Sequence, residues 1–146
     1  MRIFNKGARR KGQAVVEFAL IVPLLLTMML GIVEFGWLIQ NEMTLANAAR
    51  EAARAAALGN TTTYIQTRAT TMASPLTIST DTMAYSTDNG TTWLTWPSDS
   101  GSNNGVPSGA LIKITLTATN HQLTNFIPGL NSLLMSQFAV MRREPT

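Results

Sequence analysis

Apolar and polar positions divide the chain into zones of different periodicity. From Phe18 to Val33 sixteen residues follow one another without a charge, and Thr27 alone among them is polar. Glu34 interrupts, and Phe35–Ile39 continues apolar up to Gln40. A bilayer core about 30 Å thick takes roughly 20 helical residues, and Phe18–Ile39 supplies 22 positions. A run apolar on every side predicts a membrane span; a core helix of that kind would need a large protein around it. Beyond it, Ala46, Ala49, Ala53, Ala56 and Ala57 recur at helical spacing and predict an extramembrane helix over Asn41–Leu58 with a flat, small-residue face. Glu51 and Arg54 lie three apart, the spacing of a helix-supporting pair. Gly59-Asn60 reads as a helix stop. Continuous from Gln13, this helix would hold 46 residues, about 69 Å at 1.5 Å per residue.

From Gly59 the composition turns to Thr, Ser, Asn and Gly. A short helix is expected over Thr62–Met72, ahead of Pro75, and strands over Leu76–Ser79 and Thr82–Ser86. Ser86-Thr87-Asp88-Asn89-Gly90-Thr91-Thr92-Trp93 fits the S-x-D-x-G-x-T-W pattern of an Asp-box, a structural hairpin turn repeated in sialidase-type propellers. One copy builds no propeller. It predicts a hairpin pairing Thr82–Ser86 with Thr91–Trp96, the Asp-Asn-Gly making the turn and the Trp packing beneath it. Ser98–Gly109 is the clearest loop. In Leu111–Thr119, Ile112, Ile114, Leu116 and Ala118 alternate with Lys113, Thr115, Thr117 and Thr119, which predicts a one-sided strand facing the long helix. Phe126-Ile127-Pro128-Gly129 marks an apolar loop, and Ser136–Arg143 reads as a last strand with Phe138 and Val140 inward. The fold class is therefore α+β: a long N-terminal transmembrane and stalk helix followed by a small antiparallel β-sheet head.

Charge changes this picture in one respect. The 146 residues carry 11 basic and 8 acidic groups. Five of the basic ones (Arg2, Lys6, Arg9, Arg10, Lys11) fall in the first 12 positions, where there is no acid. The other 134 residues hold six basic and eight acidic groups, a formal charge of −2. No basic face for phosphates remains on the folded part, so no nucleic acid is expected as partner. The basic leader, counted by the positive-inside rule, leaves the N-terminus in the cytoplasm and everything after Ile39 outside. Three segments result: a leader at 1–12, the helix at 13–58 and the head at 59–146. The chain has no Cys and a single His, His121, in a polar loop. That inventory offers neither nucleophile nor acid–base pair, and no enzyme, cofactor or metal site is expected. The tract Asp99-Ser100-Gly101-Ser102-Asn103-Asn104 reads as flexible linker rather than a calcium loop.

Two carboxylates do not fit a plain anchor. Glu17 sits at the cytoplasmic edge of the apolar run, and Glu34 lies 17 residues on, about 25 Å along a helix. A carboxylate at mid-membrane costs on the order of 2.5–3.5 kcal/mol, less near the interfaces. Glu34 is expected to reach the outer headgroups, with intramembrane partner binding as its functional alternative. Glu17 stands in Lys11-Gly12-Gln13-Ala14-Val15-Val16-Glu17-Phe18, which resembles the processing site of type IVb (Flp-type) prepilins, a Gly followed by Glu-Phe at the fifth and sixth positions after it. The resemblance implies that a prepilin peptidase cuts between Gly12 and Gln13 on the cytoplasmic side and that Glu17 and Phe18 carry recognition. Gln13 departs from ordinary type IV pilins, which favour a bulky apolar residue there, and suits the looser Flp-type pattern.

The likeness extends through Pro23, the Gly31-Ile32-Val33-Glu34-Phe35-Gly36 step and Ala48-Ala49-Arg50-Glu51-Ala52-Ala53-Arg54. In that order these pieces resemble the N-terminal region of TadE-like proteins, minor pseudopilins of tight-adherence (Flp pilus) systems. Less closely, a strand, an apolar Pro-Gly loop and a final strand ending in Arg143-Glu144 resemble the C-terminus of that family. The resemblance implies a pilin-like, single-pass protein of the inner (cytoplasmic) membrane, its head in the periplasm or outside the cell. The implied partners are the prepilin peptidase, the major Flp pilin, other minor pseudopilins and the inner-membrane assembly platform. Independently of family, a new amine at Gln13 would face lipid beside Glu17 of its own or a neighbouring chain, and pairing lowers the cost of both charges. Two other readings stay open. Ala46-Asn47-Ala48 fits a signal-peptidase site that would release a soluble domain starting at Ala49, and an uncleaved chain would remain a single-pass anchored envelope or binding protein.

Overall fold

A computed structural model describes residues 6–124 and 127–145, with side chains from residue 12 onward except at 131. One helix, α1, runs without a break over Lys6–Ala57, 52 residues and about 78 Å. It continues through Pro23, where the Thr27 hydroxyl bonds to the Pro23 carbonyl at 2.8 Å. The second helix, α2, spans Thr62–Ala73, and Thr61 caps its N-terminus by accepting from the Tyr64 amide. Four antiparallel strands follow: β1 (Ile78–Ser86), β2 (Leu94–Thr95), β3 (Leu111–Thr119) and β4 (Leu134–Arg142). Their order across the sheet is β2-β1-β3-β4. The fold is thus α+β, a long apolar N-terminal helix bearing a small antiparallel head.

The core lies between the second half of α1 and one face of the sheet. Leu45, Ala48, Ala49, Ala52, Ala53 and Ala56 on α1 are buried against Ile112, Ile114, Leu116, Ala118, Met135 and Ala139. Alanine on the helix lets the sheet approach closely, while the branched residues of β3 supply the apolar area. Burying one of them fully is worth about 1.5–3 kcal/mol. α2 closes the other flank with Ile65, Ala69 and Ala73. By contrast, the side chains of Val15, Phe18, Leu20, Leu24, Leu25 and Ile32 are exposed along the first half of α1. An apolar window of that half has a mean hydropathy of 2.4 with none of it buried. Uncovered apolar surface on this scale belongs in lipid or against other chains.

Several sequence expectations are altered in detail. The two strand signals at Leu76–Ser79 and Thr82–Ser86 merge into one strand, β1, with an irregularity between Ile78 and Thr80. The Asp-box hairpin forms, but β2 pairs only through Ala84↔Thr95 and Tyr85↔Leu94. The inward face of β4 is the reverse of that expected: Met135 and Ala139 are buried, whereas Phe138 and Val140 are exposed. Register explains it, because Phe138 sits opposite Thr115 and Val140 opposite Lys113, on the outer face of β3. Apolar residues occur on both faces of β4, so alternation alone could not choose between them. Glu51 pairs with Arg68 of α2 at 2.9 Å rather than with Arg54.

Asp99, expected in a flexible linker, accepts the Thr62 amide at 3.0 Å and its hydroxyl at 2.6 Å, at the start of α2. Asn104 of the same tract is fully buried against α1. Of the apolar loop at 126–129, Phe126 lies outside the described residues, as do the first five residues of the leader.

Candidate functional site

Two features of α1 carry the functional argument, one at each end of its uncovered half. At the N-terminal end, the proposed cleavage pair Gly12-Gln13 lies inside the continuous helix. Glu17 falls one helical turn on, so Gln13 and Glu17 share a face. The Gln13 side-chain amide donates to Glu17 Oε1 at 3.1 Å in this exposed stretch. Phe18 beside them is exposed as well. The structure therefore brings Gln13 and Glu17 together, and leaves Glu17 and Phe18 on a surface that a partner can reach.

At the other end, Glu34 has partners on its own chain. It is 1% exposed, enclosed by the loop that follows β3. Its Oε1 accepts the Leu123 amide at 2.9 Å, and its Oε2 accepts the Thr124 amide at 3.1 Å and the Thr124 hydroxyl at 2.7 Å. Three donors to one carboxylate satisfy a group that would otherwise be costly to bury. Neither the headgroup expectation nor an intramembrane partner contains this arrangement. The same loop is fastened twice more. Trp37 Nε1 donates to the His121 carbonyl at 3.0 Å, and Asn41 Nδ2 to Asn120 Oδ1 at 3.0 Å between two buried side chains. The Gln137 amide also donates to Glu42. Glu34, Trp37 and Asn41 are three and four residues apart, one stripe of the helix.

This stripe was missed because its partners are some 80–90 residues away in sequence. The one signal was the polar break Asn120-His121-Gln122 directly after an apolar-alternating strand. His121 contributes its backbone carbonyl and leaves its ring exposed. Among the described residues, no three His, Cys, Asp or Glu gather as a metal-type cluster.

Both features fall within one stretch of α1 that is similar to a known family. Residues 12–54 match the family model of TadE-like protein. The matched stretch holds Gly12, Gln13, Glu17, Phe18, Pro23, Glu34 and the alanine face up to Arg54. It is the same family that the motif string resembles. Comparison with curated proteins and with solved structures returned no significant match. The TadE-like segment ends three residues before α1 does, at Ala57. It therefore contains both the uncovered half of the helix and most of the half on which the head is built.

Proposed function

We infer that this protein is a minor pseudopilin of TadE type that takes part in priming or assembling a Flp-type adhesive pilus. The TadE-like match relates it to Tad/Flp pilus systems, and a single apolar helix near the N-terminus fits a membrane anchor. The observation that carries the finer reading is Glu17, an exposed carboxylate one turn from Gln13 at the start of the uncharged run Phe18–Val33. Cutting after Gly12 removes the basic leader and leaves an ammonium at Gln13. In a neighbouring helix offset by a few residues, that ammonium meets Glu17, and the pair sets the register of subunits. Gly31 and Gly36 support such packing, since they leave backbone bare in a groove lined by Met28, Ile32, Phe35 and Ile39.

In this reading the prepilin peptidase, the major pilin, other minor pseudopilins and the assembly platform of the inner membrane are the partners. The role is structural and non-enzymatic, and the head faces the periplasm or the exterior. Release by signal peptidase at Ala46-Asn47-Ala48 is disfavoured. That site lies inside a helix whose Leu45, Ala48 and Ala49 form the core, and cutting there would remove Glu34, Trp37 and Asn41 from the loop they hold.

The test is Glu17→Gln in cells that build the pilus. The substitution keeps size and hydrogen bonding but removes the charge. The variant is expected to remain in the membrane and to be lost from complexes purified through the major pilin. Recovery equal to the unsubstituted chain would contradict the charge-pairing role.

A further inference from the structure

The strands of the head lie along the helix, which gives the head a membrane-proximal and a distal end. Asn120 and the start of β4 lie beside Asn41, whereas Arg143, just after β4, donates to the Ala57 carbonyl at 3.0 Å. The stretch 120–124 reaches lower still, since Leu123 and Thr124 bond to Glu34. From Gln13 to Val33 the helix covers about 31 Å, close to the roughly 30 Å of a hydrocarbon core. The loop therefore stands where the helix leaves the hydrocarbon.

Its chemistry suits that position. Leu123, Leu133 and Leu134 are 55%, 42% and 64% exposed. Between Lys113 and Arg142 the chain has no Asp, Glu, Lys or Arg. Trp37, an aromatic type enriched at membrane interfaces, is bonded to the loop at this level. The distal end is of the opposite kind, with Asp88, Asn89, Asp99, Ser102, Asn103 and Arg142.

We propose that Leu123, Leu133 and Leu134, at the end of the sheet nearest the bare half of α1, form a second membrane contact: they enter the outer-leaflet interface, with lipid as their occupant. Continuity with the apolar half of α1 selects lipid, because Leu123 stands at the level of Glu34 and Leu133 and Leu134, beside Asn120, at that of Asn41, both directly above the uncovered stretch. The Glu34 clamp makes the contact rigid. It satisfies two loop amides that would otherwise lose their water when the loop meets the interface. The head then sits flush on the membrane rather than on a free stalk.

The inference rests on α1 as the anchor, and one experiment separates the two claims. The chain has no cysteine, so Leu123→Cys, Leu133→Cys, Leu134→Cys, Leu25→Cys and Ser102→Cys each accept one NBD label. The full chain is reconstituted in phosphatidylethanolamine–phosphatidylglycerol vesicles, with and without lipid carrying a nitroxide at the headgroup or mid-chain. Labels at 123, 133 and 134 are expected to emit to the blue of the label at 102 and to be quenched by the headgroup nitroxide. The label at 25 is quenched by the mid-chain nitroxide. Emission and quenching at all three leucine positions equal to those at 102 would overturn the second contact while leaving the anchor intact. A blue shift there without quenching would mean cover by protein, and would overturn it equally. An unquenched label at 25 would remove the anchor itself.

Discussion

Glu34 shows how one side chain joins two functions of the helix. A glutamate at the end of an apolar run is tolerated because three donors from the head meet it. Hydrogen bonds to charged groups contribute about 1.5–3 kcal/mol each, and a donor left buried without a partner costs about as much. Glu34→Ala is therefore expected to speed hydrogen exchange at the Leu123 and Thr124 amides by about tenfold or more, with protection in β3 unchanged. Equal protection of both amides would show that the loop is held by Trp37 and Asn41 alone. Glu17 differs in kind, since its bond to Gln13 is local and exposed and leaves it available to another chain.

At the scale of elements, the end of α1 and the Asp-box hairpin show what sequence patterns can and cannot reveal. The inward face of β3 was legible because its alternation holds over nine positions, and the long helix because an apolar run of spanning length is followed by alanines at helical spacing. The closure of α1 was legible only in its local part, the Gly59-Asn60 stop, where Gly59 takes a positive φ and its amide bonds to Ala56. Asn60 bonds locally to Ala55, but the last carbonyls also take donors from two remote segments: Asn104 on Ala56, and Arg143 with the Glu144 amide on Ala57. The Arg143 cation also favours the negative end of the helix dipole. Gly59 passes over its guanidinium at φ +87, where a Cβ would come within 2.4 Å of the nearest nitrogen. No local period announces such contacts.

The Asp-box was legible because its bonds are local. Ser86 is bonded to Asp88 at 2.6 Å, the Thr92 amide to Asp88 at 2.9 Å, and Asn89 and Gly90 take up the left-handed turn. The Ser86 hydroxyl first, then the Thr92 hydroxyl and amide, hold the Asp88 carboxyl well below the usual carboxylate range. A depressed carboxyl contributes stability that is fully present above its unfolded value, roughly 3.9, and is lost as pH falls below it. A carboxyl-carbon NMR titration of Asp88 should accordingly have its midpoint below that of free aspartate. Asp88→Asn should loosen the Thr92 amide at neutral pH. A midpoint at the free value would mean that the turn does not hold the charge.

Taken whole, the molecule is a rod with one end built for lipid and packing and the other for water. The first half of α1 is bare and apolar, and the second half is the spine of the head. Glu34, Trp37 and Asn41 lie at the junction, and the polar Asp-box turn and Asn104 tract lie at the far end. The family match covers the spine, residues 12–54. The bare apolar stretch of α1 was readable from the apolar run; the tying of head to helix was not, since it depends on pairs brought together only by the fold.

The account depends most on how the chain is processed, and N-terminal sequencing of the protein extracted from its native membrane tests that directly. The account predicts a first residue of Gln13, in a chain that still carries the apolar half of α1. A chain beginning at Met1 would contradict the cleavage and with it the Gln13–Glu17 pairing. One beginning at Ala49 would contradict the membrane anchor as well.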